Sequence, residues 1–229
     1  ILMTDPRIIV AIDTFDLKQA NAILDQLDPN LCMVKVGSVV FNAFGKSFLK
    51  YVSSKGFKIF LDLKLHDIPN TVHEAILSFH GYSIDMLTVH LSGGKEMIKK
   101  AMLAGKSINA KVIGVSILTS LEESDTIALF DNKLDHQISN LFEIAAKANL
   151  DGVVCSPHEL GMANRILNSD SIKITPGIRD IKAEDDQART MSAKEAIEKG
   201  ATFLVIGRPI TQAQDISTAL NTFSDSIEK

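Results

Sequence analysis

The 229-residue chain has no tryptophan and only two cysteines, Cys32 and Cys155, far apart in sequence. Two are too few for a disulfide framework or a four-ligand zinc site, so a reducing cytoplasm is the expected location. It also lacks any run of about 18 consecutive apolar residues, which excludes a spanning helix. The opening residues, Ile1-Leu2-Met3-Thr4-Asp5-Pro6-Arg7, carry neither a basic start nor an apolar stretch, so secretion is not indicated; Met3 is expected to be the biological start. Neither charge sign forms a block: 24 basic and 28 acidic residues give a net charge of -4. A surface that coats nucleic acid is therefore not expected, although a small anionic substrate stays open because binding depends on local charge. No linker rich in Gly, Pro or Ser divides the chain, so one domain spanning 1–229 is expected, and 45% hydrophobic content suffices for a single core.

What the chain does have is alternation. Eight short apolar, β-branched runs occupy 7–13, 32–37, 58–64, 85–90, 111–118, 152–156, 172–176 and 203–208. Helical patterns fall near 16–27, 41–55, 70–81, 94–105, 137–149, 158–168, 192–199 and 210–223. Strands apolar on both faces that alternate with helices eight times fit an α/β protein, a single-domain (β/α)8 TIM barrel. A doubly wound open sheet is the competing architecture, but it usually has fewer strands.

Polar residues mark the ends of these runs: Asp13, Lys35, Asp62 with Lys64, His90, Thr119, Ser156, Thr175-Pro176-Gly177 and Gly207-Arg208. In a barrel, such carboxyl ends converge on one mouth, where active sites are built. Two other motifs fail. Gly45-Lys46-Ser47 resembles the end of a phosphate loop, but Val40 stands where the first glycine belongs, within a helical pattern. His66, His73 and His80 recur every seven residues, which is only the spacing of two helical turns, and no metal site is expected there.

The most informative segment is Asp62-Leu63-Lys64-Leu65-His66-Asp67-Ile68-Pro69-Asn70-Thr71. Strand alternation turns Asp62 and Lys64 to the same side, into the barrel. Lys35 ends the neighbouring run and Asp67 follows in the loop, so two ammonium and two carboxylate groups can alternate in sign. A purely structural ion-pair network is one reading, since inward charges must be paired. Desolvating four charges at a barrel mouth costs several kcal/mol, however, and Leu or Val would serve stability alone. Function is the better reason: a lysine aimed between carboxylates can protonate a developing carbanion. At the other side of the mouth, Gly207-Arg208 leads into a helix expected near Ile210, where backbone N–H groups and a guanidinium can converge on phosphate. The polar stretch 178–190, with Arg179 and Gln187, is long enough to form a lid.

These residues, together with Thr175-Pro176-Gly177-Ile178-Arg179, Asp186-Gln187 and Val205-Ile206-Gly207-Arg208-Pro209, resemble the bacterial-type orotidine 5′-monophosphate decarboxylase family. The likeness runs from Ala11-Ile12-Asp13 through Val34-Lys35-Val36-Gly37 to the final helix. It implies a homodimeric barrel that converts orotidine 5′-monophosphate to UMP and carbon dioxide, the last step of de novo UMP synthesis, without metal or organic cofactor. It further implies a charged array of Lys35, Asp62 and Lys64 completed by Asp67 of the neighbouring subunit, with Lys64 as proton donor to C6. Asp13 and Lys35 would hold ribose hydroxyls, and Thr71 would reach across the dimer. Thr119 would address the pyrimidine, Gln187 would link base and phosphate, and Arg179, Gly207 and Arg208 would bind phosphate. Asp180 departs from the family pattern, where proline commonly follows the arginine; that bears on lid stiffness.

Three other readings are open to test. A related sugar-phosphate decarboxylase or hexulose-phosphate synthase shares the spaced Asp, Lys and Asp but uses magnesium to stabilise an enediolate. A Schiff-base aldolase would use Lys35 or Lys64, yet an ammonium flanked by carboxylates is a poor amine nucleophile. A barrel that only binds nucleotides would not need the array.

Overall fold

The computed structural model describes residues 6–179 and 191–228. Eight parallel strands, β1 (Ile8–Ile12), β2 (Cys32–Gly37), β3 (Ile59–Leu65), β4 (Met86–His90), β5 (Lys111–Val115), β6 (Gly152–Val154), β7 (Ile172–Thr175) and β8 (Phe203–Ile206), pair in chain order. Pairing of β1 with β8, Ile8 opposite Leu204 and Val10 opposite Ile206, closes the cylinder. The expected (β/α)8 barrel is the fold.

Around the strands run α1 (Leu17–Leu24), α2 (Ser38–Ser54), α3 (Pro69–Leu77), α4 (Gly94–Ser107), α5 (Glu123–Phe130), α6 (Leu134–Lys147), α7 (Leu160–Ile166), α8 (Ala193–Glu198), α9 (Arg208–Thr211) and α10 (Ile216–Glu228). Among the described residues no helix is long and apolar enough to cross a membrane.

Strand alternation sorts the apolar residues into two sets. Ile9, Met33, Phe60, Met86, Ile113, Ile172, Ile174 and Phe203, with Val154 and Val205 against them, fill the barrel as one cluster. The intervening residues, such as Val10, Val34, Leu61, Leu87 and Leu204, pack outward under the helices in a second, larger cluster. Because the period is two, the next inward positions toward the carboxyl ends are fixed: Lys35 follows Met33, Asp62 follows Phe60, and Thr88 follows Met86. The apolar plug is therefore the floor on which a polar layer rests.

The sequence reading differs from the structure in three places. Strand β5 stops at Val115 rather than 118, and α5, absent from the expected pattern, occupies the connection that follows. Only Thr126 of α5 is buried, while Ile127 and Leu129 are 47% and 65% exposed, so the helix shows no core-facing stripe of the kind periodicity detects. Asp125 accepts from the Glu122 N–H at 2.9 Å and caps its start. The last helical region is split into α9 and α10, with Asp215 accepting from the Thr218 N–H at 2.8 Å as the second helix begins. Helix α2 starts at Ser38, not near 41, and is interrupted at Gly45, whose φ of 62° suits glycine. Gly45-Lys46-Ser47 thus lies at a helix kink.

Candidate functional site

The polar layer above the barrel floor is a chain of alternating charges. The Lys35 ammonium lies 3.3 Å from Asp13 Oδ1 and 3.6 Å from Asp62 Oδ2. The Lys64 Nζ donates to both Asp62 oxygens at 2.9 Å. In strand order the sequence is Asp13, Lys35, Asp62, Lys64, drawn from β2, β3 and the loop after β1. Asp62 is its buried centre, 8% exposed, while the Asp13 side chain, 53% exposed, opens to solvent. Gly37 makes room for the array: a Cβ there would stand 2.8 Å from Lys35 Nζ and 3.3 Å from Asp13 Oδ1.

Simple alternation does not explain how Lys64 reaches Asp62. Lys64 has φ 51°, in the left-handed region, and the β3–β4 register shifts between Leu61 and Leu65. A side chain with a Cβ pays roughly 1–2 kcal/mol for that conformation, so something must hold it. The holder is Thr88 on β4, which is fully buried. Its Oγ1 accepts from the Lys64 N–H at 2.8 Å and donates to Asp62 Oδ1 at 3.0 Å. Sequence reasoning missed Thr88. The available signal was its inward position on β4, beside β3, in a run otherwise apolar up to His90.

The other expected site residues are less tightly gathered. Asp67 is exposed, its Oδ1 accepts from the Ile68 N–H at 2.6 Å, and among the described residues it forms no ion pair. Asp13, rather than Asp67, supplies the second carboxylate within this chain. Asp67 bonds to its own loop just before α3. Thr71 is exposed in the first turn of α3, and Thr119 is exposed in a turn well past the end of β5.

Next to β1 in the barrel, beyond β8, the helix expected near Ile210 begins at Arg208, with Gly207 at its N-cap. Arg208 is exposed, and Gly207 lies against Ala11 of β1, which brings this corner beside the strand that leads to Asp13. Arg179 is partly buried and donates its backbone N–H to the Met191 carbonyl at 3.3 Å, next to the Ile178–Met191 bridge. Gln187, Asp180, Asp186 and most of the expected lid lie outside the described residues.

Two histidines flank the array. The His66 and His90 rings are 5.3 Å apart. Burial above all, then the neighbouring His66 and Lys64, holds the His90 imidazole below its ordinary pKa, against a smaller opposing pull from Asp62. His73 pairs instead with Glu74 at 3.0 Å, so the evenly spaced histidines do not converge. Both cysteines are buried on the outward-facing side of the wall, and burial pushes each thiol up to about 12, which removes them as nucleophiles at neutral pH.

The chemistry this arrangement offers is acid–base and electrostatic. It presents an aimed ammonium, a buried carboxylate beside it, and no activated hydroxyl or thiol nucleophile among the residues of the array. Fold and site together define a barrel enzyme with an array of alternating charges at its carboxyl mouth.

The profile of the "Orotidine 5'-phosphate decarboxylase / HUMPS family" matches residues 6–223, and the chain belongs to that family. It is 41% identical over 228 residues to an orotidine 5'-phosphate decarboxylase of Actinobacillus succinogenes, covering 97% of this chain and 98% of the relative. The corresponding protein of Coxiella burnetii is 40% identical over 230 residues, with 98% of each chain covered. Among solved structures, orotidine 5'-phosphate decarboxylase from Lactobacillus acidophilus superposes with a TM-score of 0.86 at 34% identity, covering 98% of this chain and 100% of that one.

Proposed function

We propose that this chain decarboxylates orotidine 5′-monophosphate to UMP and carbon dioxide without metal or organic cofactor, with Lys64 as the acid. The observation that carries the reading is Lys64 Nζ fixed on both oxygens of a buried carboxylate at the barrel mouth. Breaking the bond from C6 to the carboxylate leaves its electron pair on C6, where the ring delocalises it poorly. An ammonium already in place stabilises that charge more than the ground state, then transfers a proton to form the C6–H bond; solvent restores the proton to Lys64. Asp62 lies near the departing carboxylate. Two like charges about 4 Å apart at an effective dielectric near 20 repel by roughly 4 kcal/mol, a repulsion that Lys64 and Lys35 on Asp62 offset.

Cofactor independence is supported by the partners of Asp62. Lys64, Lys35 and Thr88 all bear on its oxygens, which leaves it poorly suited to a divalent ion. Asp13 and Lys35 hold the ribose, Thr119 meets the base, and Arg179, Gly207, Arg208 and Gln187 take the phosphate, whose remote binding energy positions the pyrimidine.

The active unit in this reading is a cytoplasmic homodimer in which Asp67 and Thr71 reach the neighbouring site. Ile68, 67% exposed between them, and Phe15, 80% exposed beside the same mouth, support it, since large apolar side chains at one rim suit a partner. Mixing Lys64→Ala and Asp67→Ala proteins should then restore activity through the one intact hybrid site.

The direct test is the absorbance of orotidine 5′-monophosphate after purified protein is added in EDTA. Steady loss of the signal, with UMP as product, is expected. No loss in EDTA but turnover of a sugar phosphate on adding magnesium would replace this reading with the sugar-phosphate lyase.

A further inference from the structure

We infer that Thr88 is a positioning residue for the proton donor, acting through both Lys64 and Asp62; this rests on the decarboxylase reading above. A threonine hydroxyl has one hydrogen. Because the Lys64 N–H occupies a lone pair of Oγ1 at 2.8 Å, the hydroxyl hydrogen is committed to Asp62 Oδ1 at 3.0 Å. One side chain therefore fixes the backbone of the acid and the carboxylate that aims it. The two bonds also tie β3 to β4 where the register shifts and the regular ladder cannot do so.

The location excludes a contact with bulk water or an ordinary core role. Thr88 is fully buried, and its neighbours along β4, Leu87 and Val89, face outward into the apolar layer under the helices. A fold needing only packing at position 88 would be served by valine, which has the same shape and forms neither bond. Without the hydroxyl, the Lys64 N–H loses its partner, the left-handed residue loses its anchor, and Asp62 Oδ1 loses one of the bonds that orient it. The ammonium then leaves the line to C6, while the groups assigned to ribose and phosphate stay in place.

The test compares Thr88→Val, Thr88→Ala and Thr88→Ser with the unaltered enzyme for kcat and KM on orotidine 5′-monophosphate in EDTA. Val and Ala should each lower kcat by about 10- to 100-fold, the scale of a misplacement near 1 Å, with KM within about threefold. Ser should restore kcat to within about threefold of the unaltered enzyme. Wild-type kcat in Val or Ala, a loss carried mainly by KM, or a Ser variant as slow as Val would overturn the assignment. If Val does not fold, the Ala and Ser pair makes the same comparison. No turnover by the unaltered enzyme would instead defeat the decarboxylase reading itself.

Discussion

Lys64 bonds to Asp62 through its side chain at 2.9 Å to each carboxylate oxygen, and it does so from a backbone conformation, φ 51°, that residues with a Cβ rarely adopt. Regular strand alternation, with its period of two, would place the pair on one face; the left-handed residue and the register shift beside it bring the Lys64 ammonium onto both Asp62 oxygens. Strain localised at a reacting group, and held there by neighbours, is a recurrent feature of active sites.

That strain has a measurable consequence. Glycine carries no penalty at positive φ, whereas alanine does. Lys64→Gly should therefore be more stable than Lys64→Ala by about 1 kcal/mol, although both lack the ammonium. Denaturant midpoints of the two variants decide the point; equal midpoints would mean that position 64 relaxes without cost.

Gly37 offers a test of how closely the array is packed. Its φ of -94° is open to any residue, so alanine brings no backbone strain, but the new Cβ would lie 2.8 Å from Lys35 Nζ. The flexible ammonium should move off Asp13 and Asp62 while the barrel stays folded. Gly37→Ala is expected to lower kcat/KM by about 100-fold, as for a displacement near 1 Å, with an unchanged circular dichroism spectrum. Activity near that of the unaltered protein would show that Lys35 is not held where the structure places it.

His90 should make stability depend on pH. Burial, His66 and Lys64 hold its folded pKa below the unfolded one, so the unfolded chain binds more protons as pH falls. The contribution is complete above the unfolded value of about 6.5 and is lost as pH falls through the lower folded value. Urea midpoints measured between pH 8 and pH 5 should drop more for the unaltered protein than for His90→Gln. Equal drops would assign the acid sensitivity to other groups.

Much of this was legible in the sequence, for identifiable reasons. The eight strands announce themselves because parallel strands buried on both faces are continuous apolar runs, and Asp62 and Lys64 stand out as charges inside one of them. Helix α5 was not legible, because Ile127 and Leu129 point to solvent and leave no stripe. The carboxylate beside Lys35 was less legible: Asp13 and Asp67 both follow strand ends, and only the fold shows that Asp13 reaches the Lys35 ammonium while Asp67 bonds to the Ile68 N–H of its own loop. Thr88 was hidden for a different reason. A threonine in a β-branched strand is unremarkable until the register shift beside it is visible.

The central claim is that the ammonium of Lys64 does the chemistry. It is tested most directly by orotidine 5′-monophosphate turnover in EDTA for the unaltered protein and for Lys64→Ala, each first shown to be folded. The account predicts rapid loss of substrate with the unaltered protein and a decrease of at least about 100- to 10,000-fold on removing the lysine, the range for loss of a positioned acid. Turnover by Lys64→Ala near the unaltered rate would contradict it.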